Sequence, residues 1–319
     1  MKYNILYCFD SNYNLQAFSS ISSFLDKTSE KLNIHIIHKD ESTMDFLPNY
    51  IKSHNMLNNA YVYQFNSKRS FFPNLENVHV SEATYYRIYF SDYISNEIDF
   101  LIYLDSDFIC NSDPHSKLIE SINLVYKSEN VIGAVTQNVK DDSNEKLFDD
   151  IKMKSSRYFN AGMLLIDVKK WQEQDITKKM LFKLDNLDFD LKFWDQDLFN
   201  HIIDGKYTEL SKKLNFQMKL EEISHTYHSN DHNPPIFFHF LGKQKPWTGK
   251  GLLAINSEIY QREFRKHSKD FYHIEHRWII NSIKILFNSV FNLQFFKIQN
   301  KKQFLLLFFR SYYVKRKLS

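Results

Sequence analysis

Phe100-Leu101-Ile102-Tyr103-Leu104-Asp105-Ser106-Asp107 decides the fold. Its first five residues form an apolar run too short for a helix and suited to a strand covered on both faces. Two carboxylates follow at i and i+2, which project to one side of extended chain. At the carboxyl end of a parallel strand they face the crevice where open α/β sheets bind ligands. Two hard oxygen donors on one side suit Mg²⁺ or Mn²⁺, and a divalent ion there could hold a diphosphate. Alone, a D-x-D triplet is more often a solvated turn. Its place after the apolar run singles it out.

Working outward, Tyr3–Phe9, Asn33–His38 and Ala60–Phe65 have the patterns of short strands. Leu15, Phe18, Ile21 and Leu25 recur at helical spacing, and Glu82–Tyr93 also has the pattern of a helix. Val131–Val135 and Met163–Val168 complete a sheet. Strands alternating with helices predict an α/β fold with a mostly parallel sheet. Residues 143–157 are polar and fit a loop or a surface helix, and 169–205 is helical in pattern. Ile236–Phe240 is a late strand after Pro234-Pro235. Beyond Trp278, Ile279, Ile280, Ile283, Leu286, Phe287, Val290 and Phe291 make a helical apolar stripe, and Leu305–Phe309 is a second apolar patch.

The chain has 319 residues, 43% of them hydrophobic, which argues against wholesale disorder. Its net charge of +3 hides a split: after Glu275 there are nine bases and no acid, so the body carries −6 and the tail +9. The six glycines, at 133, 162, 205, 242, 249 and 251, spell neither a dinucleotide fingerprint nor a P-loop. Cys8 and Cys110 cannot make a zinc ribbon or a disulfide framework and fit a reducing compartment. The N-terminus lacks a signal peptide's long apolar stretch, and no run of about 18 apolar residues exists to span a bilayer.

Three further segments carry chemistry-bearing residues. His239 lies near a strand end, followed by Gly242 and Lys245 in His239-Phe240-Leu241-Gly242-Lys243-Gln244-Lys245-Pro246-Trp247. A neutral imidazole could complete a metal's ligands, and the lysine offers a point charge for phosphate. Trp194-Asp195-Gln196-Asp197 sits between large apolar residues, as in a cleft wall, or as a plain first helical turn. Tyr158-Phe159-Asn160-Ala161-Gly162 has small residues against which a ligand could lie, or is simply a turn.

Taken together and in this order, these motifs resemble family 8 glycosyltransferases, most closely the bacterial lipopolysaccharide galactosyl- and glucosyltransferases. The resemblance runs over roughly residues 3 to 250. It implies a GT-A fold, a UDP-galactose or UDP-glucose donor, Mn²⁺ (Mg²⁺ being the alternative) and retention of anomeric configuration. Carried over residue by residue, it assigns Asp10 and Asn12 to the nucleoside. Thr84-Tyr85-Tyr86-Arg87 matches the family's helix start, with His79 shortly before it, and implies that Arg87 contacts the donor sugar. The metal ligands would be Asp105, Asp107 and His239, with Ser106 beside the donor. Asn160, Ala161 and Gly162 would line the sugar pocket, and Gly242 and Lys245 would hold the diphosphate. Asp195 would bond sugar hydroxyls, and Gln196 would lie nearest the anomeric carbon. An amide is a poor nucleophile, so same-face attack by the acceptor is expected, with Asp197 as nucleophile the alternative. The turn at Val135-Thr136-Gln137 lacks the acid that related enzymes place near the acceptor; Asp141 and Asp142 follow closely.

These readings divide the chain into a catalytic domain, 1–250, and a helical basic and aromatic region, 251–319. Residues 276–319 suit an anionic membrane surface, with a helical subdomain packed on the core as the plainer alternative. No groove-reading motif points to nucleic acid. The expected partners are a UDP-hexose and a glycan or glycolipid acceptor, at the inner face of the cytoplasmic membrane. Sugar nucleotidyl transfer and a non-catalytic membrane-surface module are the competing readings.

Overall fold

In the computed structural model the apolar run is strand β4 (Phe100–Leu104), buried in all but its first residue. Residues 2–66, 72–73, 75, 81–95, 97–137, 143–220, 227, 234–276 and 279–318 are described, with backbone alone for 143–145, 279–281 and 312–318. The chain falls into two units. One is Met1–Ser106, Cys110–Asn215 and Pro235–Phe237; the other is Asp107–Ile109, Phe216–Pro234 and Phe238–Ser319.

The first unit is built on a seven-stranded sheet. Its strands are β1 (Lys2–Phe9), β2 (Lys31–His38), β3 (Leu57–Gln64), β4, β6 (Ile132–Thr136), β7 (Phe159–Asp167) and β8 (Thr208–Glu209). Their order is β3-β2-β1-β4-β7-β6-β8. Pairs β1–β2, β2–β3, β1–β4 and β6–β8 are parallel, while β7 runs antiparallel to both β4 and β6. The mostly parallel α/β sheet expected from the sequence is present. Every residue of β7 is buried, as its uninterrupted FNAGMLLID run requires.

The helix expected from the pattern of Glu82–Tyr93 is present as a 3-10 helix, Glu82–Asp92. At three residues per turn, positions i and i+3 eclipse, so Thr84 and Arg87 share one side. Ser81 starts it, its hydroxyl accepting from Ala83 N–H at 3.3 Å. The polar stretch after residue 143 is a helix, Ser143–Asp150, anchored by buried Leu147 with Ile151, Met153 and Tyr158 beyond it. The segment 169–205 is three helices, Val168–Glu173, Ile176–Asp185 and Trp194–Ile203. Asp175, at φ 51°, makes the first break.

The second unit contains most of a three-stranded sheet of β5 (Phe108–Cys110), β10 (Phe237–Phe240) and β9 (Phe216–Met218), in that order. Its helices are Glu258–Arg265, Ile279–Phe291, Gln294–Lys297 and Lys301–Leu318. Phe304, Leu307 and Phe308 of the last helix bury against Leu252, Tyr272, Ile274 and Ile298. The stripe on Ile279–Phe291 is only partly packed: Leu286 joins that cluster, while Phe287 is 62% and Phe291 81% exposed. Among the described residues, no helix is long and apolar enough to cross a membrane.

Gly133 of β6 marks a tight approach. A methyl group there would lie 2.7 Å from Leu210 Cδ2 and 2.8 Å from Val125 Cγ2. Gly133→Ala is therefore expected to destabilise by about 1–3 kcal/mol, lowering the melting midpoint by several degrees in a thermal melt. An unchanged midpoint would mean that these neighbours yield freely.

Candidate active site

The carboxyl ends of β1, β2 and β4 bring the first group of residues to one edge of the sheet. After β1, Asp10 Oδ1 accepts from the Asn12 N–H at 2.9 Å, which shapes the short turn Ser11–Tyr13. Asp10 is buried and Asn12 exposed. After β2, buried His38 accepts the N–H groups of Asp40 and Glu41 on Nδ1, at 3.0 and 2.9 Å. Its proton is thus on Nε2, which donates to Asn14 Oδ1 at 3.1 Å. Burial pushes the His38 pKa down, keeping the ring neutral. Nothing in the sequence singled out His38; only the fold sets it beside the Asp10 turn.

After β4, the Asp105 N–H bonds to the Gly162 carbonyl at 2.8 Å. Asp105 Oδ1 accepts from the Tyr103 hydroxyl and, at 3.2 Å, from Arg87 Nη1. Arg87 is buried and spends its donors inside the protein. Nε bonds to Asp195 Oδ2, Nη1 also reaches the Ala161 carbonyl at 2.5 Å, and Nη2 reaches Thr84 Oγ1 at 3.3 Å. The Thr84 hydroxyl in turn donates to Asp195 Oδ1. The Tyr103 ring lies under the guanidinium, 4.4 Å from Cζ. Burial disfavours the charge on Arg87, but Asp195, Tyr103 and Asp105 outweigh it and raise its pKa, so it stays cationic.

Beside this ion pair lies a cluster of amides. Gln196 Oε1 accepts from the Ala161 N–H at 3.0 Å and from Asn160 Nδ2 at 3.2 Å. Its Nε2 donates to Gln137 Oε1 at 3.2 Å and to the Tyr158 hydroxyl at 3.0 Å. Asn160 Oδ1 accepts from Gly162 N–H and Asn215 Nδ2. Asp197 is fully buried: Oδ1 takes the Tyr158 hydroxyl at 2.6 Å and Oδ2 the Phe193 N–H at 2.7 Å. The motif reading did not assign roles to Gln137, Tyr158, Thr84 or Asn215. Of these, only Thr84 and Tyr158 stood inside a motif.

The second unit holds its own group. Asp107 Oδ2 accepts from Lys245 Nζ at 2.6 Å, and Lys245 also donates to the Phe240 carbonyl. His239 Nε2 lies 3.4 Å from Asp107 Oδ1, and its ring stacks on Phe108 at 4.2 Å. Burial opposes ionisation of Asp107, but the Lys245 and His239 charges outweigh it and hold the carboxyl well below its ordinary pKa. The loop is tight around Lys245. Gly242 has φ 77°, and a methyl on Gly251 would fall 2.0 Å from the Lys245 carbonyl oxygen.

Within the second unit, His239 and Lys245 flank Asp107, which follows Asp105 by two residues in the chain. Among the described residues, buried Asp107 Oδ1 has no closer partner than His239 Nε2 at 3.4 Å, and buried Ser106 Oγ has no hydrogen-bond partner. A buried carboxylate oxygen left unbonded is costly, and a cation satisfies it. Two carboxylates and an imidazole suit Mn²⁺ and tolerate Mg²⁺, so the residues fit a divalent ion. Of the expected ligand set, Asp107 and His239 are neighbours in the second unit. His79, Asp141 and Asp142 lie outside the described residues.

The model for glycosyl transferase family 8 matches residues 4–251. A lipopolysaccharide 1,2-glucosyltransferase of Escherichia coli is 29% identical over 258 residues, 77% of this chain and 73% of the relative. A lipopolysaccharide 1,3-galactosyltransferase of Salmonella typhimurium is 28% identical over 272 residues, 82% of this chain and 77% of the relative. Among solved structures, galactosyltransferase LgtC in complex with donor and acceptor sugar analogues superposes with a TM-score of 0.64 at 20% identity. It covers 82% of this chain and 95% of its own. That likeness shows the GT-A type of α/β fold. The protein belongs to glycosyl transferase family 8.

Proposed function

We propose that the protein is a retaining hexosyltransferase that moves galactose or glucose from a UDP-sugar to a cell-surface glycan acceptor of the lipopolysaccharide type. The observation that carries the reading is buried Asp107, with Lys245 Nζ at 2.6 Å on one oxygen, only the 3.4 Å contact of His239 Nε2 on the other, and Asp105 two residues earlier. Asp105, Asp107 and His239 would hold a divalent cation, which would supply positive charge to the diphosphate. Lys245 adds a point charge where the leaving UDP gains its negative charge. Ser106 and Gly242 border the donor in this reading, and Asp10, Asn12 and His38 border the nucleoside.

The sugar lies along Asn160–Gly162, with Gln196 toward the anomeric carbon. All four hydrogen-bond partners named for the Gln196 amide are protein groups, so it is held in one orientation. An amide cannot serve as the carboxylate nucleophile of a retaining hydrolase. Both oxygens of Asp197 are already engaged, which supports a scaffolding role for it rather than nucleophilic attack. The acceptor hydroxyl therefore attacks on the leaving-group face, its proton passing to the departing phosphate. Arg87 and Asp195 bond to one another and hold Thr84, Asp105 and Ala161 in place, and in this reading both also border the donor sugar.

The exposed Phe287, Phe291, Leu293 and Phe296, with Lys284 and Lys297 among them, support attachment to the inner face of the cytoplasmic membrane. Each basic residue near an anionic surface contributes about 1 kcal/mol, and each inserted Phe about 1.5–3 kcal/mol.

Two experiments test the reading. The first measures UDP release from UDP-galactose and UDP-glucose, with water as acceptor, in Mn²⁺ or in chelator. Mn²⁺-dependent release is expected with one of them. Asp105→Ala and Asp107→Ala should abolish it, and Lys245→Ala should lower it by about a hundredfold or more. Turnover of either aspartate variant at the wild-type rate would refute the metal assignment, and pyrophosphate formed from UTP and a sugar phosphate would favour nucleotidyl transfer. The second measures co-sedimentation with anionic liposomes. Phe287→Ser combined with Phe291→Ser should weaken binding by about a hundredfold. Equal sedimentation of variant and wild type would remove the membrane role of these residues.

A further inference from the structure

β1, β2 and β3 carry polar side chains where a covered parallel sheet ordinarily carries Val and Ile. The register sets Asn4 beside Asn33 and His35 beside Tyr61. Asn58 Nδ2 donates to Asn33 Oδ1 at 2.7 Å, and Asn33 Nδ2 to Asn4 Oδ1 at 2.9 Å. This row ends on the Asn4 amide, whose Oδ1 also lies 3.4 Å from His35 Nε2 and whose Nδ2 donates to no group among the described residues.

Flat rings lie alongside the amides. His35 stacks on Tyr61 with centroids 4.8 Å apart and planes 15° apart, and lies within 6° of parallel to Tyr63. Burial pushes the His35 pKa down to about 4, so this ring is neutral at physiological pH. Tyr61 is 40% exposed. The row borders a cavity of about 470 Å³ lined by the first residues of β1 and β4, by Asn33 and His35 of β2, and by Tyr61 and Tyr63 of β3. Small-molecule sites commonly span about 300–1,000 Å³.

The cavity is not the transfer site. Ile102 is its lining residue nearest to Asp105, roughly 10 Å along the chain at 3.3 Å per residue, and by strand alternation its side chain projects to the opposite face. Its charged lining is mixed, with Lys2 against Glu97 and Asp99, so no single sign of charge invites a phosphate or a nucleotide. What remains is parallel aromatic faces next to amides that both donate and accept. A pyranose ring has complementary chemistry: an apolar C–H face to lie on an aromatic ring, and hydroxyls around its edge for the amides.

We propose that this cavity binds a neutral pyranose unit of a glycan chain, at a site separate from the one where sugar is transferred. A tether of this kind would keep a glycan on the enzyme between turnovers. The proposal does not rest on the transfer reading.

The test uses the full chain in chelator, without UDP, and reads binding of maltose and of lactose by saturation-transfer NMR at millimolar concentration. At least one disaccharide should bind. Tyr61→Ala and Asn4→Ala should each weaken it about tenfold, while Tyr61→Phe, which keeps the ring, should hold it within about threefold. UDP should not displace the sugar, and UDP release from UDP-hexose should be unchanged in all three variants. Absence of binding by the wild type, equal affinity in both alanine variants, or displacement by UDP would each overturn the proposal. Failure of the transfer reading would instead appear as no UDP release by the wild type, with disaccharide binding intact.

Discussion

A buried guanidinium is costly unless every donor finds an acceptor, and the first unit's site is arranged around one. Arg87 meets Asp195, Asp105, Thr84 and the Ala161 carbonyl. These partners come from four parts of the chain: the 3-10 helix, the loop after β4, strand β7 and the helix Trp194–Ile203. Removing one partner of such a pair typically costs about 3–5 kcal/mol, because the other charge stays buried and uncompensated. The ion pair thus fixes the distance between the carboxylate loop and the wall formed by Asn160–Gly162. It also accounts for the 3-10 geometry, since eclipsed Thr84 and Arg87 can both reach Asp195.

Neutral groups surround this charge. Gln196, Asn160, Gln137, Asn200 and Asn215 are all amides. An amide both donates and accepts, so a closed network forms without adding charge to a buried region. Asn200 shows the economy of the arrangement. Its Oδ1 takes the Phe159 N–H, and its Nδ2 donates to the carbonyls of Phe159 and Gln196. This clamps the helix Trp194–Ile203 to the first residue of β7. A carboxylate at Gln196 would place a further negative charge near Asp195 and Asp197.

Much of this was legible in the sequence, and the reason is local. FLIYL followed by D-x-D announces a strand and what lies at its end, because burial and alternation act over a few residues. His239 after an apolar run was readable in the same way. The helix Glu82–Asp92 was legible as a helix but not as a 3-10 one, because the two kinds share an apolar pattern over eleven residues and tertiary bonds decide between them. The sheet of β5, β9 and β10 was legible only at β10, since β5 and β9 have three residues each. Gln137 joined the site through contacts with residues 23 and 59 positions away. The sequence hid the polar face of β1–β3 for a different reason: Asn4, Asn33 and His35 are ordinary in isolation and form a row only once the register is set.

The antiparallel course of β7 explains how the motifs come to share an edge. In a wholly parallel sheet only residues that follow strands reach the binding edge. Asp105 follows β4, but Asn160, Ala161 and Gly162 lie at the beginning of β7. Because β7 runs against β4, with Leu104 opposite Met163, the start of one strand lies beside the end of the other. The bond from Asp105 N–H to the Gly162 carbonyl extends that ladder by one step into the loop. A parallel β7 would send Asn160–Gly162 to the far edge, beside the cavity at Asn4, and leave Gln196 without Ala161. One reversed strand thus lets a motif that precedes a strand meet a motif that follows one.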